Sequence, residues 1–108
     1  MTNTIKGDAV LEVTLLMNNN SRDPLGKIEV DVAEKPGPPP EGGIAITDES
    51  GIATFRIKPG VYFIYFNNSN FPKNLSTPEP SSVVVTEGIN TKTILITTGD
   101  VEKTRNID

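Results

Sequence analysis

Apolar and polar residues alternate with a period of two along most of the chain, the pattern of strands with one buried face. In residues 10–17, Leu11, Val13, Leu15 and Met17 share one face and Glu12 and Thr14 the other, with Leu16 breaking the polar side. Residues 27–33 are cleaner: Ile28, Val30 and Val32 point one way, Lys27, Glu29 and Asp31 the other. Ile44 and Ile46 suggest a short third strand, and Ala53, Phe55 and Ile57 alternate with Thr54, Arg56 and Lys58 in a fourth. Residues 61–66 are apolar on both faces, as expected of a central strand covered on both sides. Val83, Val84 and Val85 form a sixth, and Ile94 and Ile96 alternate with Thr93, Leu95 and Thr97 in a seventh. Helical periodicity is nearly absent.

Turn chemistry separates these segments. The connections at 18–26 and 34–43 are rich in Asn, Gly and Pro, and 48–51 and 58–60 read as tight turns. Residues 67–82 form a long polar loop, 87–90 close a hairpin, and Pro38, Pro39 and Pro40 predict a stiff extended bridge between sheets. Seven short strands with turns between them predict an all-β fold, a seven-stranded antiparallel Ig-like sandwich of two sheets. The expected organisation is an N-terminal arm at 1–8, a sandwich at 9–97 and a polar C-terminal arm at 98–108.

Composition narrows the chemistry. The 108 residues suit one domain, and 35% apolar with 22% charged residues is the balance of a globular chain. There is no cysteine, hence no disulfide, thiolate nucleophile or thiolate-bound metal. There is no histidine, which removes the usual general base and the commonest zinc ligand. A net charge of −4 argues against a nucleic-acid partner. No apolar run is long enough for membrane insertion through a helix, and residues 1–8 lack a signal-peptide pattern, so the expectation is assembly in the cytoplasm.

Residues 47–62 carry a family resemblance. Thr47, an Asp48-to-Gly51 turn, an alternating strand with Phe55, and then Pro59, Gly60 and Tyr62 are similar to the centre of carboxypeptidase regulatory-like domains. Those transthyretin-like sandwiches also resemble the CnaB repeats of bacterial adhesins, and the likeness extends over roughly residues 8 to 97. It implies a sandwich and says little about function, because such folds host unrelated roles. The Lys–Asn isopeptide bond that CnaB repeats often hold is not expected here: residues 10–17 contain no lysine and residues 61–66 no acid. The hydroxyisourate hydrolases of the transthyretin-like group depend on histidines, so that activity is excluded.

Candidate chemistry is thin. Asp48, Glu49 and Ser50 with Asp23 could offer oxygens to calcium, but without the spacing of a dedicated loop they read as a turn, and no metal or cofactor is expected. Ser50 and Ser69 lack a relay partner, so no catalytic residue is assigned. Tyr62, Phe63, Tyr65 and Phe66 read as core rather than a stacking platform, which leaves carbohydrate a weakly supported partner. The Asn-x-Ser triplets beginning at Asn19, Asn67 and Asn74 read as turns rather than glycan acceptors.

If each strand crosses the sandwich once, loops 18–26, 48–51 and 67–82 meet at one end. That end would present Arg22, Asp23, Asn68, Asn70, Phe71 and Lys73, a candidate interaction surface with Phe71 as its exposed aromatic. Val101 and Ile107 flank a charged run and could anchor the C-terminal arm on a neighbouring subunit. The expected function is therefore a non-catalytic structural or decoration subunit, with other subunits or itself as protein partner, in a bacteriophage virion. The alternative is an adhesion or surface-display module of a secreted bacterial protein.

Overall fold

In a computed structural model of the protein, residues 6–35 and 43–98 are described. They form seven strands: β1 (Lys6–Met17), β2 (Glu29–Ala33), β3 (Gly43–Ile46), β4 (Ile52–Ile57), β5 (Gly60–Tyr65), β6 (Ser81–Val85) and β7 (Ile89–Ile96). Two sheets, ordered β4-β1-β7 and β3-β2-β5-β6, make the two-layer all-β sandwich that the alternating pattern predicts. Every pairing is antiparallel except one: β1 and β7 run parallel from Val10 opposite Ile89 to Met17 opposite Ile96. The reason is topological. When each strand crosses the sandwich once, the first and seventh point the same way, so bringing them together in one sheet forces a parallel ladder.

The core lies between the sheets. Leu11, Val13 and Leu15 of β1, Val30 and Val32 of β2, Ala53 and Ile57 of β4, Ile64 of β5 and Ile96 of β7 are fully buried, with Phe55 and Tyr62 beside them. Burying a side chain of this size contributes roughly 1.5–3 kcal/mol, so these positions supply most of the driving force. The Tyr62 hydroxyl donates to the Lys58 carbonyl at 2.6 Å, closing the Pro59–Gly60 turn from inside.

Several local expectations change. β1 begins at Lys6 rather than residue 10, with a bulge that sets both Lys6 and Ala9 opposite Ile57. The first strand therefore does contain a lysine. Asn90 on β7 lies opposite Leu11, five residues along from Lys6, and its amide donates to the Val10 and Thr86 carbonyls. In β3 the small residues turn inward: Ala45 packs on the core while Ile44 and Ile46 stand 56% exposed. Nor is β5 covered on both sides. Tyr62 and Ile64 are buried, but Val61 is 60% exposed and Phe63 and Tyr65 are half-buried, because a two-layer fold has no third layer to cover them. The triple-proline segment, most of the expected N-terminal arm, and Val101 and Ile107 lie outside the described residues.

Candidate functional site

The three loops lie at the same end of the sandwich, and backbone hydrogen bonds tie 18–26 and 48–51 to the end of β1. Leu15 N–H donates to Gly51 at 2.7 Å, Leu25 N–H to Leu15 at 3.0 Å and Met17 N–H to Asp23 at 2.8 Å. At the edge of this end, Ser76 N–H donates to the Thr97 carbonyl at 2.9 Å. Gly51 allows the close approach. Its φ is +81°, and a Cβ there would come within 2.6 Å of the Leu15 carbonyl oxygen.

Much of the polar chemistry at this end is used to hold the loops. Arg22, at φ 52°, donates its backbone N–H to Asn19 Oδ1 at 2.7 Å and its guanidinium to the Asn19 carbonyl at 2.5 Å. Asn19 Nδ2 donates to Asp23 at 3.2 Å. Asn67 Oδ1 accepts from Ser69 N–H and Oγ, a side-chain turn of the kind Asn favours. Asn68 accepts from Thr77 at 2.7 Å. Asp48 Oδ1 accepts the Ser50 and Ile52 N–H groups at 2.8 and 3.0 Å, so it closes its turn. Among the described residues no cluster of three or more acidic groups could hold a metal ion.

Phe71 corrects the sequence reading. It is buried, and its ring stands edge-on to Phe66 with centroids 5.4 Å apart. The Asn67 carbonyl accepts the Phe71 N–H at 3.1 Å, a turn that swings the ring inward to plug the end of the core. Of the six loop candidates, Arg22, Asp23, Asn68, Asn70 and Lys73 remain exposed and Phe71 does not.

Asn70 leads away from the loops to a surface that alternation alone did not single out. Its amide donates to Glu29 Oε1 at 2.5 Å, at the start of the outer face of the four-stranded sheet. Across that face, register sets Ile46 beside Glu29, Ile44 and Tyr65 on either side of Asp31, and Val61 beside Val84. Ile44, Ile46, Val61 and Val84 are all more than half exposed. They present on the order of 400 Å² of apolar surface, the size of the largest patch on a typical soluble domain, which is often the functional one.

Within this patch Asp31 is only 6% exposed. Burial, reinforced by the hydrogen bond and negative charge of Glu29, pushes its carboxyl up to about 7. Its Oδ1 is buried and has no partner among the described residues. A signal for this face was present in the sequence. Strand β5 is apolar on both sides in a chain with too few residues for three layers, so one side had to meet solvent or another protein.

No protein-family model matches the chain, and no curated protein resembles it significantly in sequence. Solved structures share its fold. The minor pilin GBS52 of Streptococcus agalactiae superposes with a TM-score of 0.71 at 17% identity, over 88% of this chain and 46% of that one. The backbone protein of group B streptococcus pilus 2b does so at 0.68 and 13% identity, over 90% and 43% of the two chains. The Bacillus anthracis TIE protein matches at 0.67 and 21% identity, over 82% and 17%. The chain thus spans less than half of each of these proteins, and it has the Ig-like sandwich found within them.

Proposed function

We propose that this chain is a non-catalytic, CnaB-like sandwich module of a bacterial surface protein that works by contact with other proteins. The observation that carries the reading is the apolar outer face of the four-stranded sheet, where Ile44 lies beside the buried Asp31, Ile46 beside Glu29, and Val61 pairs with Val84 further along. The largest apolar patch on a soluble domain is often its functional one, and here hydrogen-bonded strands hold it in place. Polar side chains of the loops are tied into turns: Asp48 to Ser50 and Ile52, Asn67 to Ser69. Fold neighbours in a minor pilin and a pilus backbone protein favour the surface-display alternative. None of them supports the virion expectation.

Antibodies against the domain, applied to intact cells of the native host, test the placement. Labelling without permeabilisation, lost after protease treatment of whole cells, is the expected result. Labelling that appears only after lysis overturns it.

A further inference from the structure

The outer face of the four-stranded sheet is acidic and apolar. Glu29 and Asp31 share it with Ile44, Ile46, Val61 and Val84, and strands β2, β3, β5 and β6 contain no lysine or arginine. Lys27, the nearest cation along the chain, precedes β2 at φ 64° and lines a separate groove with Thr47, Asp48 and Glu49. The buried Asp31 Oδ1 lacks a partner among the described residues, and an unpaired buried carboxylate oxygen is costly until a donor reaches it. The face therefore suits an occupant with cations at its centre and apolar groups to either side. One segment of this chain outside the described residues has that pattern. Residues 1–5 carry no charged side chain and residues 36–42 only Glu41, whereas residues 99–108 carry Lys103 and Arg105. In an extended run, alternation sets Val101, Lys103, Arg105 and Ile107 on one side and all three acids, Asp100, Glu102 and Asp108, on the other.

We propose that residues 99–108 of one copy seat along β2 on the outer face of another copy's four-stranded sheet, with the Lys103 and Arg105 side against it. The inference rests on reading the chain as a module that works by protein contact, and it names the partner. Lys103 and Arg105 are two positions apart, as Glu29 and Asp31 are. Both pairs then repeat at about 7 Å in extended backbone and can be matched together. Charge-assisted hydrogen bonds from the ammonium and the guanidinium supply the donors that the carboxylates lack. Val101 and Ile107, one beyond each cation, meet the aliphatic patch, and the acids on the other side stay in water. The segment cannot take this place on its own chain. It follows β7 in the opposite sheet, and Thr98 is still bridged to Leu75. Packed layers lie about 10 Å apart, so a strand on that outer face stands about 20 Å from the plane of β7, whereas the stretch from Thr98 to Val101 spans only about 10 Å. A stable interface takes roughly 800 Å² from each partner, about twice what the four exposed aliphatics present, so association is reversible and concentration-dependent.

Sedimentation velocity on the full 108-residue chain, from micromolar to millimolar concentration, tests this. The weight-average mass should rise above that of the monomer. Exchanging each cation with its neighbour, Lys103→Thr with Thr104→Lys and Arg105→Asn with Asn106→Arg, keeps composition and net charge but moves both cations to the side of the acids. That variant should associate at least ten-fold more weakly. Lys103→Glu with Arg105→Glu, and separately Glu29→Lys, should weaken association as much, and mixing these two should restore it, because the acidic segment of one then meets the basic face of the other. Residues 99–108 follow the last strand, so the segment variants leave the sandwich intact and decide the matter even if Glu29→Lys unfolds. A chain that stays monomeric throughout overturns the inference and leaves the surface reading standing, since that is judged on intact cells. Association that survives the exchange of neighbours overturns it as well, because the side that carries the cations would then be immaterial. So does a mixture of the two charge variants, both folded, that fails to associate.

Discussion

Asp31 and Glu29, two positions apart on β2, are joined by a hydrogen bond on the outward face of the four-stranded sheet, and only Glu29 reaches appreciable solvent. A carboxyl held this way favours its protonated form in the folded state. Its pKa rises from 3.8 to about 7, so the stability it contributes is complete below 3.8 and is lost as pH rises through 7. Thermal unfolding should therefore show a lower midpoint at about pH 8 than at about pH 5. Asp31→Asn keeps a donor for Glu29 and removes the titration, so it should flatten that difference. A wild-type midpoint that rises over the same interval would contradict the protonated assignment.

Phe71 belongs to the core although it sits in a polar loop. Phe71→Ala should cost about 3–5 kcal/mol, the usual loss for removing a buried aromatic, with the edge-on contact to Phe66 included. Chemical denaturation measures this directly. Replacing the exposed Lys73 nearby by alanine should change stability by less than about 0.5 kcal/mol.

Gly51→Ala tests the loop junction. An added Cβ would press on the Leu15 carbonyl, and the backbone there is left-handed. The two costs together should exceed about 2 kcal/mol. Gly88→Ala is the control: it shares the positive φ, at +95°, but nothing lies within 4 Å of its added carbon. Its cost should be the smaller, near 1 kcal/mol.

Thr47 is buried, and its hydroxyl accepts the Ile28 N–H at 2.9 Å. Thr47→Val keeps the shape and leaves that donor unpaired in the interior, which should cost about 1–3 kcal/mol. Hydrogen exchange at the Ile28 amide should accelerate by a similar factor in free energy. A denaturation midpoint indistinguishable from wild type would mean that water reaches the group.

The positions of the seven strands, the all-β class and most of the core were legible in the sequence, because a period of two in a half-buried strand is local information. Leu11, Val13, Leu15, Phe55 and Ile57 shared the alternating faces read as inward, and all are buried; of the aromatics read as core, Tyr62 and Phe66 are buried and Phe63 and Tyr65 only half so. The placement of loops 18–26, 48–51 and 67–82 at one end followed from counting strands. The same count implies that β1 and β7 run in one direction, but not that they are neighbours. Only the tertiary structure decided which strands pair. It also decided which side of β3 faces in, with Ala45 packed against the core and Ile44 and Ile46 turned outward. The burial of Phe71 depends on a turn at Asn67 that has no hydrophobic period to announce it. The outer face arises in the same way: Ile44, Asp31, Tyr65, Val61 and Val84 come from four separate strands, and hydrogen-bonded register alone brings them side by side. Alternation specifies a face for each strand, whereas a surface made by four strands exists only once their order and register are set.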